Sequence, residues 1–175
     1  MAAITWIFSI LFIFSFAPNL ASKTITGNAK VVDGDTIHIG LNKIRLHGID
    51  APETNQTCEK KNVAWPCGKE STKALINFIN NKKVICNIKG TDQYKRYISV
   101  CFVNKLDMNE FMVKNGWAIA YRFYSKDYTE SEDKAKKDKV GIWQGSFQEP
   151  YLFRKNNEPQ KNINCYTKNY SIDPN

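Results

Sequence analysis

Between Thr24 and Ile49 the chain alternates apolar and polar residues in three short runs, the two-residue period of half-buried β-strands. Ile25 with Ala29–Val32 makes the first, Thr36-Ile37-His38-Ile39 the second and Ile44-Arg45-Leu46-His47 the third. Asp33-Gly34 is a hairpin-turn signal, and Gly40 to Lys43 turns the chain again. In the third strand Ile44 and Leu46 face the core, which leaves Arg45 and His47 on the opposite face. Gly48 and Pro52 end that strand and carry Asp50 and Glu53 into a loop.

A polar loop, Thr54–Gly68, follows. Ala74, Leu75, Phe78 and Ile79 then recur at helical spacing and predict an amphipathic helix over roughly Lys69–Asn80. Val84–Ile88 and Tyr97–Val103 read as two more strands. Asp107 with Glu110 resembles a capping box, opening a helix that buries Met108, Phe111 and Met112 and stops at Asn115-Gly116. A further helix, roughly Lys126–Lys139, has a thin apolar face of Tyr128 and Ala135 and ends at Gly141. Five strands with about three helices predict an α+β fold built on a five-stranded β-barrel of the OB-fold kind. No internal repeat is visible. The expected domain is 23–154, followed by a polar tail, 155–175, rich in Asn and Lys and expected to be disordered.

The first 22 residues carry no Asp, Glu, Lys or Arg, and Ile4–Leu20 is apolar. This fits a secretory signal with small residues at Ala21 and Ser22, and an uncleaved anchor is the alternative. Both predict export, to a secreted or periplasmic (extracytoplasmic) location, with membrane attachment only if the segment stays on. The cysteines, Cys58, Cys67, Cys86, Cys101 and Cys165, agree with an oxidising compartment. Their connectivity is not deducible from sequence. A Cys58–Cys67 bridge would close a short polar loop, and Cys86–Cys101 would join two strands, leaving Cys165 over. No Cys-x-x-Cys pair exists and both histidines are far from the cysteines, which argues against zinc. The formal charge of +8 lies wholly after residue 22 and favours polyanionic partners. The lysines from Lys134 to Lys139 read as one solvated helix face.

The charged positions carry the chemistry. Asp35, Asp50 and Glu53, with Arg45 among them, resemble a hard-metal site with a cation beside it. Carboxylates hold a divalent ion through oxygen, and an adjacent arginine neutralises a phosphate bound to that ion, which is what phosphodiester hydrolysis needs. A second arginine, Arg96, follows in Asp92-Gln93-Tyr94-Lys95-Arg96. Asp33 belongs to turn geometry first and to metal support second. His38 and His47 have no triad partners and read as strand residues, and Trp117 and Trp143 read as core.

Two stretches, Val31-Val32-Asp33-Gly34-Asp35-Thr36 and Ile44 through Thr54, resemble the thermonuclease (staphylococcal-nuclease-like) family. Asp92–Arg96, Asn115-Gly116-Trp117-Ala118 and Gly141-Ile142-Trp143 fall where that family's later motifs stand, so the resemblance covers roughly Thr24–Arg154. Ala120–Ser125 and the Cys58–Cys67 loop are similar to its secreted, disulfide-bearing bacterial branch. The resemblance implies Ca2+ held by Asp35, Asp50 and the backbone carbonyl of Ala51. It implies Glu53 as general base, Arg45 and Arg96 as phosphate clamps, and Tyr94 and Tyr121 as nucleotide contacts. It further implies cleavage of DNA and RNA to 3′-phosphate ends by a monomer with no stable protein partner. Two positions depart from the family pattern: Lys95 replaces a usual glycine and Gln93 a commonly basic residue. A catalytically inactive nucleic-acid-binding barrel and a basic, disulfide-stapled adhesion or inhibitor module are the competing expectations.

Overall fold

The computed structural model describes residues 23–157; the expected signal segment and Cys165 lie outside them. Strands β1 (Thr24–Val31), β2 (Thr36–Ile39) and β3 (Asn42–Leu46) form the predicted meander. The short strand β4 (Ile49–Asp50) and a small hairpin of β5 (Cys58–Lys60) and β6 (Val63–Trp65) lead into helix α1 (Cys67–Ile79). Then come β7 (Lys83–Thr91), β8 (Tyr97–Val103) and β9 (Leu106–Asp107), helix α2 (Met108–Lys114), and β10 (Ile119–Ala120). Helix α3 (Thr129–Asp138), a single 3₁₀ turn at Gly141–Gln144 and helix α4 (Pro150–Asn157) complete the order.

β1, β2, β3, β7 and β8 close the expected five-stranded barrel. The sheet runs β3-β2-β1-β7-β8, and β8 closes it by lying parallel to β3, with Tyr97, Ile98 and Ser99 opposite Ile44, Arg45 and Leu46. Alternation decides which side chains enter the barrel: Ile37, Ile44, Leu46 and Val84 are buried. Helices α1 and α2 seal it with Leu75, Ile79, Met108 and Met112. Cys86 and Cys101 are direct cross-strand partners and form a disulfide inside this core, and Cys58 and Cys67 form the second bridge. Asp107 caps α2 by accepting from the Glu110 N–H at 3.0 Å, as its spacing predicts.

Two boundaries differ from the sequence reading. α3 begins at Thr129 rather than near Lys126, because turns at Tyr121–Ser125 and Lys126–Thr129 satisfy that backbone first. Residues after Pro150 form α4, which runs past the expected domain end at 154. Proline pre-sets the first helical turn, where its missing N–H costs nothing. Segment 144–149, just before α4, is pinned to β5 by paired backbone bonds between Glu59 and Ser146. Among the described residues no helix is long and apolar enough to cross a membrane.

Candidate active site

The β1–β2 turn delivers Asp35. Oδ1 of Asp33 accepts the Asp35 N–H at 3.0 Å, so Asp33 has the turn-forming role its position implied. Asp35 is almost fully buried and accepts from Thr36 Oγ1 at 3.0 Å and from the Ala51 N–H at 2.9 Å. That last bond ties the turn to the segment carrying Asp50 and Glu53. Asp50 lies on β4, held by antiparallel pairing with Ile119 of β10, and has no exposed surface. Gly68 packs so closely under the next loop that a Cβ there would overlap the Glu53 carbonyl. Here the absence of a side chain sets the loop's path.

Arg45 joins the two buried carboxylates. It donates from Nη1 to Oδ1 of Asp35 and from Nη2 to Oδ1 of Asp50, each at 2.6 Å. Burial would lower this guanidinium's pKa, but the charges of Asp35 and Asp50 outweigh it and hold the pKa above its usual range. Burial lifts the Asp50 carboxyl above the ordinary carboxylate range, with Arg154 and Arg45 offsetting part of that rise. Asp33 is pushed up to about 7, by burial first and then by the charge of Asp35, with Glu53 adding to it.

Arg154 of α4 completes the network, and the sequence reading gave it no role. Its Nη1 lies 2.9 Å from Oδ1 of Asp50 and 2.9 Å from Oε1 of Glu53, and its Nη2 lies 3.1 Å from Oδ2 of Asp50. More than a hundred residues separate it from Asp50, so no local spacing could have marked it. The signals available were Pro150 as a helix start and the apolar Leu152-Phe153 pair before the arginine.

Arg45 joins Asp35 to Asp50, and Arg154 joins Asp50 to Glu53, so these five side chains lie in one network. Arg96 makes its polar contacts elsewhere: its Nε donates to Oδ2 of Asp92 at 2.7 Å, and its guanidinium lies over the Tyr94 ring at 5.4 Å. It directly precedes Tyr97, the strand partner of Ile44, which puts it at the end of the wall bearing Arg45. Lys95 adopts φ +62, the left-handed conformation that glycine takes without strain. Tyr94 is exposed. Tyr121 is anchored by its N–H to the Gly48 carbonyl at 2.9 Å and touches Tyr124 edge-on, their centroids 5.0 Å apart. Burial, then the charge of Asp50, raises the Tyr121 hydroxyl's pKa, so this ring is within electrostatic reach of the carboxylates. A groove beside Asp50 is lined by Tyr121, Phe123, Arg122, Lys136 and Tyr151.

Among the described residues no group of three His, Cys, Asp or Glu side chains is disposed as a metal cage. The three acidic residues are instead bridged by guanidiniums. The smaller set the resemblance implies, two carboxylates and the Ala51 carbonyl, is all hard oxygen, the donor type a divalent cation takes, while Arg45 and Arg154 already balance the two carboxylate charges. The donor chemistry therefore fits Ca2+ or a similar ion.

Comparison with known proteins agrees with this geometry. The staphylococcal nuclease homologue family matches residues 43–145, more than half of the chain. The succinoglycan biosynthesis protein ExoI of Rhizobium meliloti (strain 1021) is 35% identical over 127 residues, 70% of this chain and 66% of that protein. The chain thus spans just under two thirds of that relative's length. An uncharacterized endonuclease of Haemophilus influenzae is 33% identical over 143 residues, covering 77% of this chain and 75% of that one. A micrococcal nuclease of Shigella flexneri is 28% identical over 144 residues, 72% of this chain and 78% of its own. With the closed barrel and the Arg45-centred carboxylate pair, these matches establish that the chain belongs to the staphylococcal nuclease homologue family.

Proposed function

We propose that the protein is an exported, calcium-dependent endonuclease that hydrolyses DNA and RNA with little sequence preference and leaves 3′-phosphate ends. The observation that carries this reading is the Arg45 fork across two buried carboxylates, with Glu53 on the loop that follows. Asp35, Asp50 and the Ala51 carbonyl would hold the ion. When bound, Ca2+ neutralises charge on a phosphate oxygen. Glu53 takes the proton from the water whose oxygen bonds to phosphorus. The P–O5′ bond breaks, and the leaving oxygen is protonated from solvent. Arg45 and Arg96, always protonated, offset the extra negative charge on the phosphoryl oxygens. Tyr94 and Tyr121 offer flat faces on which any base can stack, which suits a sequence-tolerant enzyme. The net positive charge favours a nucleic-acid substrate, and the two disulfides favour an oxidising compartment. The protein works as a monomer in this reading.

Plasmid DNA and RNA degradation with added Ca2+, then with chelator, tests the reading. Cutting that chelator abolishes and Ca2+ restores is the expected result. Undiminished cutting in chelator refutes the metal mechanism. Binding at low salt without cutting under any divalent ion leaves an inactive nucleic-acid-binding barrel.

A further inference from the structure

We propose that Arg154 is a positioning residue of the nuclease site, fixing the Glu53 carboxylate against Asp50 and making α4 part of the active centre. The inference rests on the nuclease reading and adds a residue and a segment to it. Glu53 sits on a loop, and among the described residues its carboxylate has one ion pair, to Arg154 Nη1. A base carried on a loop loses rate when it wanders, because an ångström of misplacement costs on the order of a hundredfold. Arg154 removes that freedom while also forking onto both oxygens of fully buried Asp50.

A buried amide and a disulfide hold the two segments that carry this ion pair. The buried Gln56 side chain donates from Nε2 to the Gln148 carbonyl at 2.7 Å, two residues before α4. Through Oε1 it accepts the Glu53 N–H at 3.3 Å. One amide therefore couples the base-bearing loop to the segment bearing Arg154. The Cys58–Cys67 bridge closes the same loop, and Trp65, Trp143 and Phe147 pack around it. A surface ion pair of no consequence would not have a buried amide and a disulfide registering its two partners.

The fork on Asp50 has a second consequence. Both oxygens of that expected ligand are engaged by a fixed positive charge, which opposes a cation there. Removing Arg154 should therefore slow turnover and tighten cation binding together. Loss of folding around α4 could not produce that combination.

The experiment compares wild type, Arg154→Gln and Arg154→Lys in kcat and KM on single-stranded DNA, in Ca2+ affinity by calorimetry, and in Tm. Arg154→Gln is expected to lower kcat by about tenfold to a hundredfold with KM within about twofold of wild type. It should also bind Ca2+ several-fold more tightly, while the loss of one partner of buried Asp50 lowers Tm by a few degrees. Arg154→Lys keeps the charge without the fork, so it should recover part of kcat and near-native Ca2+ affinity. Wild-type kcat in Arg154→Gln overturns the inference alone. A fall in kcat accompanied by weaker Ca2+ binding in both variants also overturns it, making α4 structural only. A wild-type protein that neither cuts nor binds Ca2+ overturns the nuclease reading itself, and this inference with it.

Discussion

Nη2 of Arg45 lies 2.6 Å from Oδ1 of Asp50, a carboxylate with no exposed surface. The other arm of the same guanidinium reaches Asp35 at the same distance, so one planar group sets the separation of two acids. A lysine ammonium cannot span both. Arg45→Lys should therefore leave one buried carboxylate poorly paired and cost about 1–3 kcal/mol of stability. It should also lower kcat by on the order of a hundredfold, the usual loss when one phosphate-charge stabiliser is removed. Chemical denaturation and initial rates read the two effects separately. A variant with native rate would show that charge alone suffices and remove the fork from the mechanism.

Lys95 stands at φ +62 between Tyr94 and Arg96. An L-side chain in that region costs about 1–2 kcal/mol, and glycine escapes it at an entropic cost of about half as much. Lys95→Gly should thus raise Tm by roughly 1–4 °C, the shift expected for about 0.5–1 kcal/mol in a chain of this size. A thermal melt at fixed ionic strength checks it. An unchanged or lower Tm would mean that Lys95 is stabilised by something other than its backbone.

Much of this architecture was legible because its signals are local. The alternation around Ile44 and Leu46, the Asp33-Gly34 turn and the Asp107 cap each act within a few residues, and each appears where the pattern put it. Asp35 and Arg45 could be grouped because adjacent strands of one meander bring them together, and Asp50 follows Arg45 by only five residues. Arg154, Gln56 and Glu132 could not. Their partners lie across tertiary contacts, and a polar residue before or within a short helix looks like solvated surface until the neighbouring element is placed. Five cysteines allow several connectivities, and only the β7–β8 register makes Cys86 and Cys101 neighbours.

Asp92 gives the chain an acid-sensitive loop. Desolvation raises its carboxyl's pKa, but the Arg96 backbone N–H, the Arg96 guanidinium and the Tyr94 N–H together hold it below 3.8. A folded-state pKa depressed below the unfolded value contributes order that is present above 3.8 and lost as pH falls through the folded value. The backbone amide resonances of Tyr94 and Arg96 should therefore titrate together with a midpoint under 3.8. Asp92→Asn should abolish that transition. A midpoint at or above the ordinary value would mean the loop does not hold Asp92 in solution.

Glu132 is a second buried acid that the active site depends on at one remove. Its Oε1 accepts the Ala120 N–H at 3.0 Å, while Oε2 takes Arg122 Nη2 at 2.6 Å and Lys136 Nζ at 2.8 Å. Ala120 belongs to β10, whose other residue, Ile119, pairs with Asp50. Glu132→Gln can keep the Ala120 bond through its amide oxygen, and its NH2 then stands where Oε2 accepted from Arg122 and Lys136, so those two half-exposed cations turn to solvent instead. Glu132→Ala strands a buried N–H and should cost about 1–3 kcal/mol more than the glutamine variant. Because β10 braces the Asp50 strand, the alanine variant should also lose activity while the glutamine variant keeps most of it. Paired denaturation and rate measurements separate these outcomes. Equal stability in the two variants would mean that the Ala120 bond contributes nothing, and Asp50 would then be held by its arginines alone.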